Sequence, residues 1–244
     1  MYQESIIKYL KKHGFEALRP QAVLFDMDGV LYDSMPNHAV AWQQSMAKFG
    51  IDMTAEDAYA TEGARGVDTI RMMVRQQQGR DISEAEAQLM YDEKTRCFHA
   101  LQETRIMPGV KELMAQIKSC GLNVGVVTGS GQRPLINRLL KDFSEFIEEQ
   151  NITTAYDIAK GKPNPDPYLA GLKKAGNLNP WQAIVVENAP LGVLAGVAAQ
   201  IFTIAVNTGP LPDKALLDAG ADLLFMKMTD FSNAWNDFHR CLKK

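Results

Sequence analysis

Hydrophobic and polar positions change period several times along this chain, and the changes divide it into three stretches. The opening Glu4–Lys12 sets Ile6, Ile7 and Leu10 on one side of a helix, so residues 1–19 are expected to form a helical extension packed on the core. Pro20 ends that region, and AVLF at Ala22–Phe25 is a short continuous apolar run, the pattern of a strand buried on both faces. From Met35 to about Glu103 the periodicity is helical with no convincing strand, which predicts an insertion of roughly 70 residues, within the range of a small subdomain. In it, Trp42, Met46 and Phe49 read as core-facing helix positions.

After Met107-Pro108-Gly109 the chain alternates. Strands are expected at Asn123–Val127, Ile152–Thr154, Ala183–Val186, Ile201–Val206 and Asp222–Leu224. Helices are expected at Val110–Ser119, Gln132–Lys141, Pro167–Ala175, Leu191–Ala199 and Asp213–Ala219. Alternation of this length predicts an α/β fold, a Rossmann-like parallel sheet with helices on both faces, built from residues 20–34 and 105–244 and carrying residues 35–104 as a helical insert. The junctions near Ser34 and Thr104 are the expected hinges. In such sheets ligands sit beyond the carboxyl ends of the strands, so polar residues that follow each apolar run are where chemistry is expected.

The bulk composition narrows the choice of partner. The 244 residues are 46% hydrophobic and 23% charged, with a net charge of −3. Basic residues are scattered rather than gathered in a stripe, so neither nucleic acid nor an anionic membrane is an expected partner. Cys97, Cys120 and Cys241 are odd in number and far apart, which supports neither a disulfide framework nor a structural zinc site. No stretch has the pattern of a signal peptide or a membrane span, so a cytoplasmic monomer or weak homodimer acting on a small molecule is expected.

The strand ends carry the candidate chemistry. The first runs into Asp26-Met27-Asp28-Gly29; if the backbone stays extended, carboxylates two apart share a face. One could attack phosphorus while the other manages a proton. Read alone, D-x-D-G is also a common turn; an EF-hand loop is disfavoured by the preceding strand and by the spacing of Gly and Glu. The second strand ends VVTGSG, offering the Thr128 hydroxyl and the amides of Gly129 and Ser130 ahead of a helix that starts at Gln132, or simply a helix cap. In AKGKPNPDPY a lysine beside proline is a placed charge for a phosphoryl oxygen, Lys162 with Lys160 as its competitor, or merely a surface lysine. Glu187-Asn188 after AIVVE offers two oxygen ligands suited to Mg²⁺, or again a helix cap. Nucleophile, phosphate donors, compensating cation and metal ligands in strand order are what phosphoryl transfer requires.

These segments, FDMDGVL at Phe25–Leu31, VVTGS at Val126–Ser130, GKPNPDPYL at Gly161–Leu169 and VVENAPLGVLAG at Val185–Gly196, resemble the haloacid dehalogenase superfamily over nearly all of the chain after Pro20. The position of the helical insert, the cap of that superfamily, is similar to its β-phosphoglucomutase-like branch. The resemblance implies Asp26 as nucleophile, Asp28 as general acid/base, and Thr128 and Lys162 as holders of the phosphoryl group. It also implies Mg²⁺ at Asp26, the Asp28 carbonyl and Asn188, with Glu187 close by, and a hinge histidine at His38 in contact with substrate or Asp28.

Two departures stand out. The mutase branch usually carries Glu-Asp where this chain has Glu187-Asn188. Where its cap loop reads roughly L-K-G-V-S-R, this chain reads Thr61-Glu62-Gly63-Ala64-Arg65-Gly66, so Glu62 replaces a lysine and only Arg65 remains near the place of the phosphate-gripping arginine. A carboxylate there repels a second phosphate unless a cation lies between them. The expected activity is therefore an Mg²⁺-dependent phosphohydrolase of a small phosphate compound, a sugar phosphate or pyrophosphate. A β-phosphoglucomutase is the alternative, and a non-catalytic phosphometabolite-binding protein the third.

Overall fold

The structure, a computed structural model, describes residues 2–242. In chain order the elements are α1 (Tyr2–His13), β1 (Ala22–Phe25), β2 (Tyr32–Asp33), α2 (Met35–Ala47), α3 (Ala55–Ala60), α4 (Gly66–Gln78), α5 (Glu84–His99) and β3 (Arg105–Ile106). There follow α6 (Val110–Ser119), β4 (Asn123–Val127), α7 (Arg133–Asp142), β5 (Ile152–Thr153), α8 (Asp166–Lys174), β6 (Ala183–Glu187), α9 (Pro190–Ala198), β7 (Phe202–Val206), α10 (Asp213–Asp218), β8 (Leu223–Phe225) and α11 (Met228–Cys241).

Six strands form one sheet in the order β5-β4-β1-β6-β7-β8, every neighbouring pair parallel. Every residue of β1 is buried because both faces are covered. Period-two alternation sends Val23 and Phe25 to one face, with α1, α6, α7 and α11, and Ala22 and Leu24 to the other, with α8 and α9. The fold is thus α/β and Rossmann-like, with helices on both faces and a helical insert between β2 and β3.

The insert has its own apolar cluster, in which Trp42 and Met46 of α2 meet Ile70, Met73 and Val74 of α4 and Met90 of α5. Phe49 is not part of it and is exposed; α2 ends at Ala47, so the helical register that would aim Phe49 inward stops before it. A similar correction applies to α1, where Ile7 is exposed and Tyr9 is the fully buried anchor beside Ile6. Tyr9 can be buried because its hydroxyl donates to the Gln200 carbonyl at 2.8 Å while its ring meets Phe202 edge-on.

Three of these elements, β2, β3 and α11, were not visible in the periodicity. The antiparallel pair of β2 with β3, two residues each, lies where the chain enters and leaves the insert. Helix α11 closes one face of the sheet with Phe231, Trp235 and Phe238, all buried.

Phe238 lies against Tyr2, Phe202 and Trp235. Truncation to alanine removes that packing and leaves a void, so Phe238→Ala is expected to lose about 3–5 kcal/mol of stability in urea unfolding. A loss below about 1 kcal/mol would mean that α11 is not an integral wall of the core.

Candidate functional site

The parallel register brings the ends of β4, β1 and β6 to one level, with Phe25 opposite both Val126 and Val186. The next residues out are the polar ones. Asp26 therefore stands at the centre, Thr128 beyond β4 on one side, and Glu187 and Asn188 on the other.

Lys162 reaches into this row from the segment before α8 and is buried. Its ammonium donates to Asp26 Oδ1, to Glu187 Oε1 at 2.6 Å and to the Val127 carbonyl at 3.3 Å. Lys160, the competing lysine, is exposed. Burial pushes the Asp26 carboxyl up to about 8, against the pull of Lys162 and helped by Glu187. Burial also works against a charged Lys162, but the two carboxylates outweigh it and raise its affinity for a proton.

Both oxygens of Glu187 are engaged. Oε1 takes Lys162 and the Tyr168 hydroxyl at 2.7 Å, and Oε2 takes the amides of Asn188 and Ala189 at 3.0 and 3.3 Å. The carboxylate lies against the first turn of α9, and a β-carbon at Gly192 would run into it. Glycine at that position is what lets helix and carboxylate approach.

Asp28 lies beside a chain of groups from the insert. Ser34, the residue before α2, makes no helix-capping bond; its hydroxyl donates instead to Asp28 Oδ1 at 2.6 Å. His38 Nε2 is 3.1 Å from the same oxygen, and Lys94 Nζ is 2.6 Å from His38 Nδ1. A lysine ammonium only donates, so Nδ1 accepts and Nε2 carries the proton that goes to Asp28. Burial disfavours an ionised Asp28, but His38, Ser34 and Lys94 together prevail and hold its carboxyl down at about 2.

Burial brings the Lys94 amine down to about 8. Asp28 and Glu62 favour its charged form against that burial, and it lies over the faces of Trp42 and Phe98, 5.1 and 5.2 Å from the ring centres. Neither Lys94 nor Ser34 nor Tyr168 was singled out from the sequence. Lys94 has a readable sign: it shares the inward stripe of α5 with Ala87, Met90 and Cys97, where a lysine is out of place unless it has a partner.

The loop between α3 and α4 closes over the row. Gly63 adopts φ +84°, and a β-carbon there would come within 2.9 Å of the Lys162 side chain, so this turn lies directly on the lysine. Glu62 Oε2 accepts from Asn188 Nδ2 at 3.0 Å. Burial, then Asp26 and Glu187, push the Glu62 carboxyl well above the usual range.

The cavity that remains is about 80 Å³ and is lined by Asp26, Asp28, His38, Glu62, Lys94, Thr128, Gly129, Ser130 and Gln132 among others. That is small beside the ~300–1,000 Å³ of common ligand pockets. Thr128 Oγ1 accepts the Ser130 amide at 3.0 Å, which leaves its proton free to donate. The Gln132 amide group bonds outward, to Thr95 and His99 of α5. Arg65 is not brought in: its guanidinium pairs with Asp68 and Glu84, both 3.3 Å away, and faces the Ala159 carbonyl.

Whether these residues fit a divalent ion is answered by two buried oxygens without a hydrogen-bond partner, Glu62 Oε1 and Asn188 Oδ1. Orphaned acceptors are rare because each is costly, and here they accompany carboxylates that outnumber the two buried lysines. Hard oxygen donors in excess of cations suit Mg²⁺. Among the described residues no three or more His, Cys, Asp or Glu side chains are set to hold a metal by themselves; the Asn188 oxygen is a further donor of the kind Mg²⁺ accepts.

The family model for haloacid dehalogenase-like hydrolases matches residues 23–206. Hexitol phosphatase A of Escherichia coli (strain K12) is 31% identical over 78% of this chain and 84% of its own length. The β-phosphoglucomutase of Bacillus subtilis (strain 168) is 26% identical over 87% and 92%. A solved structure from Bacteroides vulgatus, which carries a provisional β-phosphoglucomutase designation, superposes with a TM-score of 0.95 at 48% identity and covers 100% of this chain and 98% of its own.

Two measurements test the geometry without turnover. The Lys94 amine is expected to titrate near 8 by NMR; a midpoint at about 10 or higher, where free lysines titrate, would show it solvated. Gly192→Ala displaces the Glu187 carboxylate and is expected to cost about 1–3 kcal/mol in urea unfolding as its hydrogen bonds are lost. An unchanged midpoint would mean that the carboxylate is not fixed there.

Proposed function

We propose that this chain, which belongs to the haloacid dehalogenase-like hydrolase family, is an Mg²⁺-dependent phosphohydrolase working through an aspartyl-phosphate on Asp26. Phosphoryl transfer on a small phosphate compound is what its relatives share; the observation that carries the finer reading is the Asp26 carboxyl group at the central strand end, hydrogen-bonded by a buried lysine.

With Oδ1 tied to Lys162, Asp26 Oδ2 attacks phosphorus. The Thr128 hydroxyl and the loop of Gly129 and Ser130 hold the phosphoryl oxygens, and Lys162 offsets their charge. The phosphorus–oxygen bond to the leaving group breaks, and that oxygen is protonated by Asp28, which first takes up a proton from solvent as the anionic substrate offsets the pull of His38 and Lys94. His38 and Lys94 hold Asp28 in place for this. In the second step Asp28 takes a proton from water as the water oxygen attacks phosphorus, releasing phosphate and restoring Asp26. Asp26, the Asp28 carbonyl, Asn188 Oδ1 and Glu62 Oε1 would hold Mg²⁺, which supplies charge neutralisation between nucleophile and phosphate. Glu187, saturated with donors, anchors Lys162 rather than binding the ion.

Substrate size follows from the insert. Glu62 faces the cavity and Arg65 is turned away, so Lys94 is the insert's one cation among the residues lining it. A bulky bisphosphate finds no grip there, whereas pyrophosphate or a compact phosphate ester fits the small, cation-requiring space. Three free cysteines are consistent with a reducing cytoplasm, and no helix among the described residues is long and apolar enough to cross a membrane.

A panel of pyrophosphate and small phosphate esters is expected to show phosphate release that chelation abolishes and that Asp26→Asn lowers by ~10³-fold or more. Undiminished turnover by Asp26→Asn would end the nucleophile assignment, and efficient isomerisation of β-glucose 1-phosphate with a bisphosphate activator would make the chain a mutase instead.

A further inference from the structure

Arg138 of α7 lies outside the catalytic cavity, yet it touches both crossings between the core and the helical insert. The first crossing runs through β2, where the buried Tyr32 ring lies under the guanidinium, its centre 4.6 Å from Cζ. The second runs through Thr104 into β3. Nη1 donates to Thr104 Oγ1 at 2.9 Å and Nη2 to the Thr104 carbonyl. Nε lies 3.1 Å from Glu103 Oε1 and 3.3 Å from Asp142 Oδ2. The Tyr32 hydroxyl donates to that same Asp142 oxygen at 2.9 Å, which closes the ring of contacts.

The strands alone do not fix this junction. β2 and β3 pair through Tyr32–Ile106 and Asp33–Arg105 only, and an isolated two-stranded ribbon is marginal in water. A guanidinium is a planar fork with donors in fixed directions, so it sets the separation of the two crossings in a way a flexible point charge does not. Each crossing also leads to the site. The Gly29 amide donates to the Tyr32 carbonyl at 2.8 Å and the Tyr32 amide to Met27 at 3.1 Å, which ties Tyr32 to the loop bearing Asp28. Thr104 is reached from α5, the helix that bears Lys94.

We propose that Arg138 is a positioning residue that pins the pivot of the insert, so that His38 and Lys94 return to the same place beside Asp28 whenever the insert closes. The kinetic part rests on the phosphohydrolase reading above. An alkyl phosphate such as glycerol phosphate needs its leaving oxygen protonated through Asp28, and so depends on the groups the insert brings. p-Nitrophenolate leaves without a proton and does not.

Arg138→Gln is expected to lower kcat for glycerol phosphate by about tenfold with KM little changed, since charge-assisted hydrogen bonds are lost at the pivot. For p-nitrophenyl phosphate the loss is expected to stay within about threefold. Arg138→Lys keeps the charge but not the fork and is expected to behave like the glutamine variant. Hydrogen exchange is expected to quicken at the Tyr32 and Met107 amides, the latter bonded to Leu31 at 2.8 Å, and to stay unchanged at Val193 in α9. Equal losses on both substrates, full activity of the glutamine variant, or rescue by lysine would each overturn the proposal. The exchange arm needs no turnover. A parent protein inert on every ester would sink the phosphohydrolase reading and leave the pivot standing, whereas unchanged exchange at Tyr32 and Met107 would sink the pivot alone.

Discussion

Asp26 and Glu187, at the ends of adjacent parallel strands, are both shut away from water, and two such acidic groups are tolerated side by side only with a cation between them. Lys162 is that cation, itself buried and bonded to both. Breaking a buried pair of this kind leaves uncompensated charge worth several kcal/mol, so much of the nearby sequence serves to hold the three groups together. Tyr168 and the amides of Asn188 and Ala189, just ahead of α9, complete the hydrogen bonding of Glu187, and Gly192 makes room for it. The apolar sheet beneath keeps water out, which makes the pairing strong and its loss costly.

This balance falls short, with four carboxylates set against two ammonium groups. Lys162 answers Asp26 and Glu187, and Lys94, through His38, answers Asp28. Glu62 has no ammonium of its own; it takes one hydrogen bond from Asn188 and leaves an oxygen bare beside a second bare oxygen on Asn188. The site is therefore complete in its geometry and deficient in positive charge, at the point where the insert meets the core.

The strand ends were legible because saturated apolar runs stop abruptly at polar residues: AVLF before Asp26, and AIVV before Glu187, which closes its strand. Lys162 was legible for its proline neighbour, although only the fold could separate it from Lys160. Lys94 was hidden because a lysine in a helix usually lies on the solvated face; its burial depends on Trp42 and His38 supplied by α2, together with Tyr91 and Phe98 of its own helix. Arg65 misled because loop position does not fix where a long side chain points, and Asp68 one turn further on drew it outward. Helix α11 was missed although Phe231, Trp235 and Phe238 follow helical spacing, because Asp, Asn and Ser lie between them. Phe49 failed because α2 ends before it, and Ile7 because the face of α1 that meets the core is centred on Ile6 and Tyr9 and turns Ile7 to solvent.

The departures from the mutase-like pattern are linked rather than independent. Asparagine at 188 removes one negative charge from the core side of the site, whereas glutamate in place of lysine at 62 shifts the insert side by two, so the site facing a cation becomes more negative and the negative charge moves onto the insert. A ligand on the core is present whether the insert is open or closed; a ligand at Glu62 arrives only when the loop of Gly63 lies down on Lys162. Under the proposed function, tight cation binding and closure then become one equilibrium, because whatever stabilises the bound ion stabilises the closed insert by the same free energy. A substrate that brings its own magnesium favours both at once. Under the proposed function, that coupling would favour small, highly charged phosphate compounds through the position of a single carboxylate, without contact to the part of the substrate that distinguishes one sugar from another.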